Sequence, residues 1–151
     1  MDPLPELRMV EVVLGRIVIR EHADRQYVYL VERGGQRGFP IVIGSNEAAE
    51  IQRVVAGIEC ERPLTHQLAF AILESLGAKL RRCDIVDLRQ NTFYAQLVLE
   101  TTQPTSSVVL DARPSDAIAL ALRAGCPLRV AESVLEQARS DASGPDPVGE
   151  E

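Results

Sequence analysis

A chain of 151 residues, 46% hydrophobic and 25% charged, has the length and composition of one soluble globular domain, able to bury roughly two-thirds of its unfolded surface without disulfide or metal staples. A net charge of −6 with no Lys/Arg run excludes strong salt-dependent binding to long duplexes, and no apolar run is long enough to cross a bilayer. Three widely spaced cysteines without a Cys-x-x-Cys pair exclude a disulfide framework and a cysteine zinc site.

The opening "MDPLPELRM" carries acid and two prolines where a signal peptide has a basic and then an apolar segment, so a cytoplasmic protein without membrane attachment is expected. In "MVEVVLGRIVIR" the apolar Val10, Val12 and Leu14 hold even positions, and Ile17 and Ile19 odd ones. The phase changes at Gly15, which predicts a strand with a bulge or bend there. "QYVYLVE" is apolar at both parities, as in a central strand, and "RGGQRG" joins it to "FPIVIG", completing a predicted three-strand meander. "SNEAAEIQRVVAG" opens with Ser45, has Glu47 and Glu50 in its first turns and ends at Gly57, the pattern of a helix.

Thr65 then caps a predicted second helix, "HQLAFAILESLG", with Leu68, Ala71, Ile72 and Leu76 on one apolar face before Gly77 stops it. "AKLRRCDIVDL" and "TFYAQLVLE" flank a polar "RQN" turn and read as a second hairpin. "VVLDA" reads as a short strand, "PSDAIALALRA" as a third helix, "PLRV" as an edge strand and "ESVLEQAR" as a short last helix. Runs of strands and separate helices without regular βαβ alternation predict one α+β domain, on a mostly antiparallel or mixed sheet with three to four helices, over residues 7–139. Residues 140–151 carry four acids and no base. A disordered tail is expected there, and removing its −4 from the total of −6 leaves −2 on the rest of the chain.

"DARPSDAIALALRAG" sets a polar cluster before six uninterrupted apolar residues, Ala117 to Leu122. Such a run samples the whole circumference of a helix, whereas packing on one sheet needs only a stripe. An outer cover is therefore required, and a homo-oligomer interface at or near this helix, a dimer at least, is the expected source. With Arg113 as cap residue, Pro114 falls at the first helical position and Asp116 at the third, where a carboxylate suits unpaired backbone N–H groups and the helix dipole. Ser115 adds a first-turn hydrogen bond, while Asp111 and Arg113 can pair with each other or with a neighbouring element. A second reading stays open, in which this helix N-terminus and Arg113 bind phosphate and Asp111 and Asp116 hold a metal ion.

Glu47 and Glu50, three apart on a helix, suit either a solvated first turn or a shared divalent ion. Asp84 and Asp87 have an odd spacing that sends them to opposite faces of a regular strand, so joint metal binding is not expected. His66 belongs to no His-x-x-x-His pattern; a surface or capping role and a catalytic one are both open. The sequence contains neither Gly-x-Ser-x-Gly nor a Gly-rich phosphate loop.

"IGSNEAAEI", "RPLTHQL" and above all "DARPSDAIALALRAGCPLRVAE" resemble the bifunctional nuclease domain family, whose members are described as acting on both DNA and RNA. The resemblance runs from about Met9 to Gln137 in the same order and spacing. It implies a compact α+β fold, self-association and a nuclease, and carries over Glu47, His66, Asp111, Arg113, Ser115 and Asp116 as motif positions. The chemistry these residue types support is phosphodiester hydrolysis assisted by Mg2+ or Mn2+. Glu47, Asp111 and Asp116 would be metal ligands, Arg113 and Ser115 would bind substrate, and His66 would act as general acid or base beside Asp111, Arg113 and Asp116. Short or single-stranded DNA and RNA are the expected substrates. The competing class is a non-catalytic homo-oligomeric module binding a small anion or a protein partner, which suits the acidic balance and the lack of a basic patch.

Overall fold

The structure, a computed structural model, describes residues 7–20, 22, 24–102 and 106–141, with side chains through 139. Strands β1 (Met9–Val18), β2 (Arg25–Glu32) and β3 (Gly38–Gly44) form the expected antiparallel meander. The β1–β2 register slips between Leu14 and Arg16, so Gly15 is the extra residue of a bulge, as its change of phase predicts. A Cβ at Gly15 would lie 3.1 Å from the Tyr29 carbonyl oxygen, so the close approach favours glycine. Helix α1 (Ser45–Ala56) follows and stops at Gly57, which takes the left-handed conformation at φ 68°.

Strands β4 (Lys79–Arg89) and β5 (Thr92–Glu100) form the second hairpin. Its two loop residues, Gln90 and Asn91, both have positive φ, 50° and 61°, as a type I′ turn requires. Strand β6 (Ser107–Ala112) adds antiparallel to β5, and helix α3 (Pro114–Ala124) carries the chain away from it. "PLRV", expected at an edge, instead lies at the centre. As β7 (Leu128–Ala131) it is the fourth strand of a seven-stranded mixed sheet of order β3-β2-β1-β7-β4-β5-β6, antiparallel to β1 and parallel to β4. Four residues show too little periodicity to reveal this. What holds them there is burial of Val130 and Ala131 and an in-register ion pair, Arg129 Nε to Asp84 Oδ1 at 2.8 Å. Asp84 also meets Arg82, while Asp87 pairs with Arg89, so the two aspartates do not share a site.

Strands β6 and β7 run parallel, each parallel to β4, so α3 makes a β–α–β crossover past the intervening β4 and β5. It packs against those strands on one side and against α1 on the other. Ala117 through Ala121 are all buried. Over Ala117 to Ala121 the outer cover expected from a second copy thus comes from α1 of the same chain.

Helix α2 (Thr65–Ser75) shows its expected inner face to solvent: Leu68, Ala71, Ile72 and Leu76 are exposed, while His66, Ala69, Phe70 and Leu73 turn inward. "HQLAFAILESL" carries apolar residues on two helical faces, so its periodicity admits both orientations. Its cap residue is Leu64 rather than Thr65. Leucine has no polar side-chain atom; the Leu64 N–H instead donates to Gln67 Oε1 at 2.9 Å, which is half of a capping box.

The sheet is coiled. Phe39 of β3 and Phe93 of β5, separated by four intervening strands, have ring centroids 5.5 Å apart. Helix α4 (Glu132–Asp141) packs against β3, β4 and β7 with Val134, Leu135 and Ala138 buried. Residues 140 and 141, expected to begin the tail, continue this helix; the rest of the expected tail lies outside the described residues.

The solvated reading of Glu50 does not hold, because the residue is 1% exposed. It accepts hydrogen bonds from Arg53 at 2.9 Å and from Arg123 of α3 at 3.0 Å. Burial pushes its carboxyl up, and the two guanidiniums outweigh that and hold it below the usual range. Glu50→Ala leaves two partly buried guanidiniums without their shared acceptor, at a cost of about 3 kcal/mol. Thermal denaturation should therefore show a Tm roughly 10 °C lower.

Candidate active-site cleft

The beginnings of α1, α2 and α3 converge beside β5 and β6 around a cleft of about 690 Å³. Helix α1 starts directly from β3 with Gly44 as its cap residue and contributes Glu47, Glu50 and Arg53. The start of α2 supplies Leu64 and His66; β5 and β6 supply Leu97 and Asp111; and α3 supplies Arg113, Asp116 and Leu120.

Asp116 is the hub. His66 Nε2 lies 2.7 Å from its Oδ1, and Arg113 grips both carboxylate oxygens, Nε to Oδ2 at 2.9 Å and Nη2 to Oδ1 at 3.1 Å. The same Nη2 reaches Glu47 Oε1 at 3.3 Å, so α1, α2 and α3 are tied at one point. Arg113 is the cap residue and Pro114 the first helical residue, as the sequence predicts. The expected partner of Asp116 is different: its carboxylate meets the His66 imidazole of α2 and the guanidinium of Arg113, the cap residue of its own helix, where the cap reading expected backbone N–H groups.

Ser115, expected to bind substrate, is fully buried and does not line the cleft. The three expected metal ligands do not assemble either. Among the described residues no three His, Cys, Asp or Glu side chains converge to hold an ion; Asp116 is engaged by His66 and Arg113, and Glu47 by Arg113. Sequence reasoning missed Arg53 and the Glu50–Arg123 pair behind the cleft. The three-residue spacing of Glu50 and Arg53 is a helical signal that could have found the first. Nothing local links Glu50 to Arg123, 73 residues away.

Burial pushes the Asp116 carboxyl up, but hydrogen bonds from His66 and Arg113 prevail and lower it to about 2. The hydrogen bond to Asp116 raises the His66 imidazole against the opposing effect of burial. The pairing thus favours the charged imidazolium beside a carboxylate, the form that can deliver a proton at the cleft. For His66 the stabilisation is full below its ordinary 6.5 and is lost as pH rises through the raised value. For Asp116 it is full above the ordinary 3.8 and is lost as pH falls from there toward about 2. The interaction is therefore strongest from mildly acidic to near-neutral pH. Asp116→Asn should lower the His66 midpoint, read as an acid-shifted imidazole titration by NMR; a midpoint equal to the wild-type value contradicts the pairing.

All three cysteines are free, and among the described residues no helix is long and apolar enough to cross a membrane. The bifunctional nuclease domain model matches residues 28–143. An uncharacterized protein of Mycobacterium tuberculosis is 41% identical over 130 residues, covering 86% of this chain and 76% of that protein. Bifunctional nuclease 2 of Oryza sativa subsp. japonica is 25% identical over 80% of this chain, and bifunctional nuclease 1 of Arabidopsis thaliana is 26% identical over 68% of it. The matched region spans only 37% and 32% of those two plant proteins. With the matched domain model covering most of the α+β fold and every helix that builds the cleft, the chain belongs to the bifunctional nuclease domain family.

Proposed function

We propose that this chain hydrolyses phosphodiester bonds in short or single-stranded DNA and RNA within the cleft between α1, α2 and α3. The observation that carries this reading is the His66–Asp116–Arg113 cluster facing a cleft in a chain of a nuclease-domain family. An imidazolium and a guanidinium side by side supply the two things this reaction needs, a proton for the leaving oxygen and positive charge for the phosphate.

Arg113, half exposed, holds a non-bridging phosphate oxygen. Asp111, exposed at the end of β6 and lining the cleft, takes a proton from the attacking water. The water oxygen bonds to phosphorus, the P–O ester bond breaks, and His66 gives its proton to the departing oxygen. Asp116 keeps His66 charged and oriented for that transfer. A folded portion that is nearly neutral and a cleft rich in carboxylates favour short single strands, whose few phosphates impose little repulsion.

The non-catalytic module remains the second reading. It is favoured by the engagement of Arg113 with Glu47 and Asp116, since a phosphate must compete with two carboxylates for it. Purified protein incubated with short single-stranded DNA and RNA decides between them. His66→Ala should lower kcat by at least about a hundredfold, and Arg113→Ala should lower kcat/KM by a similar factor, with the fold retained by circular dichroism. Cleavage indifferent to both substitutions, or its absence from the wild-type chain, contradicts the nuclease reading. Assays with Mg2+, with Mn2+ and with a chelator belong in the same series. Cleavage that requires the added ion overturns the assignment of proton transfer to Asp111 and His66 alone.

A further inference from the structure

Glu47, Glu50 and Arg53 follow one another at three-residue intervals along α1, and all three line the cleft. They belong to two charge clusters with opposite balances. In the outer one, Arg113 is engaged by both Glu47 and Asp116, and Asp111 adds a further carboxylate to the same lining. In the inner one, Arg53 and Arg123 share the single carboxylate of Glu50, which leaves one positive charge unbalanced. Arg53 is the arginine of that cluster that lines the cleft, with 27% of its side chain exposed. Its Nε and Nη2 donate to Glu50 Oε2 at 3.2 and 2.9 Å, and among the described residues no acceptor meets its Nη1. A planar guanidinium held along one edge by a buried carboxylate is already oriented for a second anion.

We infer that Arg53 is a second phosphate subsite, holding the phosphate next to the one on Arg113 when a short single strand of DNA or RNA lies along α1. This assignment deepens the nuclease reading and rests on it. Spacing selects two phosphates over one: Arg53 stands six residues beyond Glu47, the residue that Arg113 touches, which is about 9 Å along the helix axis. That is too far for two guanidiniums to grip the oxygens of a single phosphate, and it suits consecutive phosphates of an extended strand. The remaining lining favours recognition through the backbone. It includes the aliphatic Ala49, Ala69, Leu97 and Leu120, and among the described residues it contains no aromatic ring on which a base could stack. Phosphates are common to DNA and RNA, so the subsite accepts both.

Three ligands test it on the full chain: thymidine dinucleoside monophosphate, which has one phosphodiester, and the same dinucleotide with a further phosphate on its 5′ or on its 3′ end. NMR titration of the wild-type chain should show one of the phosphorylated forms binding roughly tenfold more tightly than the unphosphorylated one. Arg53→Gln should bring that ratio to about one, and a ratio is insensitive to any general weakening of the cleft by the loss of a Glu50 partner. The Arg53 side-chain N–H resonances supply a readout within the wild-type chain, which decides the matter if the variant does not fold: they should shift with the preferred phosphorylated ligand and not with the unphosphorylated one. A wild-type ratio near one, a preference unchanged in folded Arg53→Gln, or unmoved Arg53 resonances overturns the subsite. Cleavage is followed separately. A preference for the added phosphate in a chain that cuts no nucleic acid keeps the phosphate subsite and removes the nuclease reading; cleavage without that preference keeps the nuclease reading and overturns the subsite.

Discussion

The fold depends on one constraint: α3 must pass over β4 and β5 to deliver β7 into the gap between β1 and β4. Without β7 the chain is two antiparallel three-stranded sheets with facing open edges. Four residues close both, with hydrogen bonds on either side and the Arg129–Asp84 pair across the parallel junction. The crossover helix is then enclosed between sheet and α1, which explains an apolar circumference rich in alanine: small side chains let two neighbours approach the same helix closely. Burial of Ala117 through Ala121 in turn fixes where α3 begins, and hence where Arg113 and Asp116 stand.

Charge placement in the cleft follows from that enclosure. Two carboxylates of α1 face α3, one outside and one inside. Glu50, cut off from water, is held by Arg53 and Arg123, while Glu47, nearer the surface, shares Arg113 with Asp116. The inner group is structural because an uncompensated charge there is costly. The outer group can exchange partners, since an exposed ion pair contributes little.

His66 reaches this cluster from the least embedded helix. No residue of α2 is fully buried; its hold comes from Phe70 and Leu73 against the core and from the His66–Asp116 contact itself.

Much of the fold was legible locally. The Gly15 bulge, both hairpins, the Pro114 start of α3 and the Gly57 stop of α1 are set by backbone preferences of the residues themselves, so they survive in the sequence as readable marks. Of the six candidate positions that the motifs offer, five, Glu47, His66, Asp111, Arg113 and Asp116, line one cleft. Tertiary structure alone decided the rest. It put the four-residue β7 at the centre, chose between the two apolar faces of α2, buried Ser115 and Glu50, and set Asp116 against a histidine 50 residues away. Local chemistry determines which conformation a segment prefers. Burial and long-range pairing depend on which segments meet, and that depends on the whole chain at once.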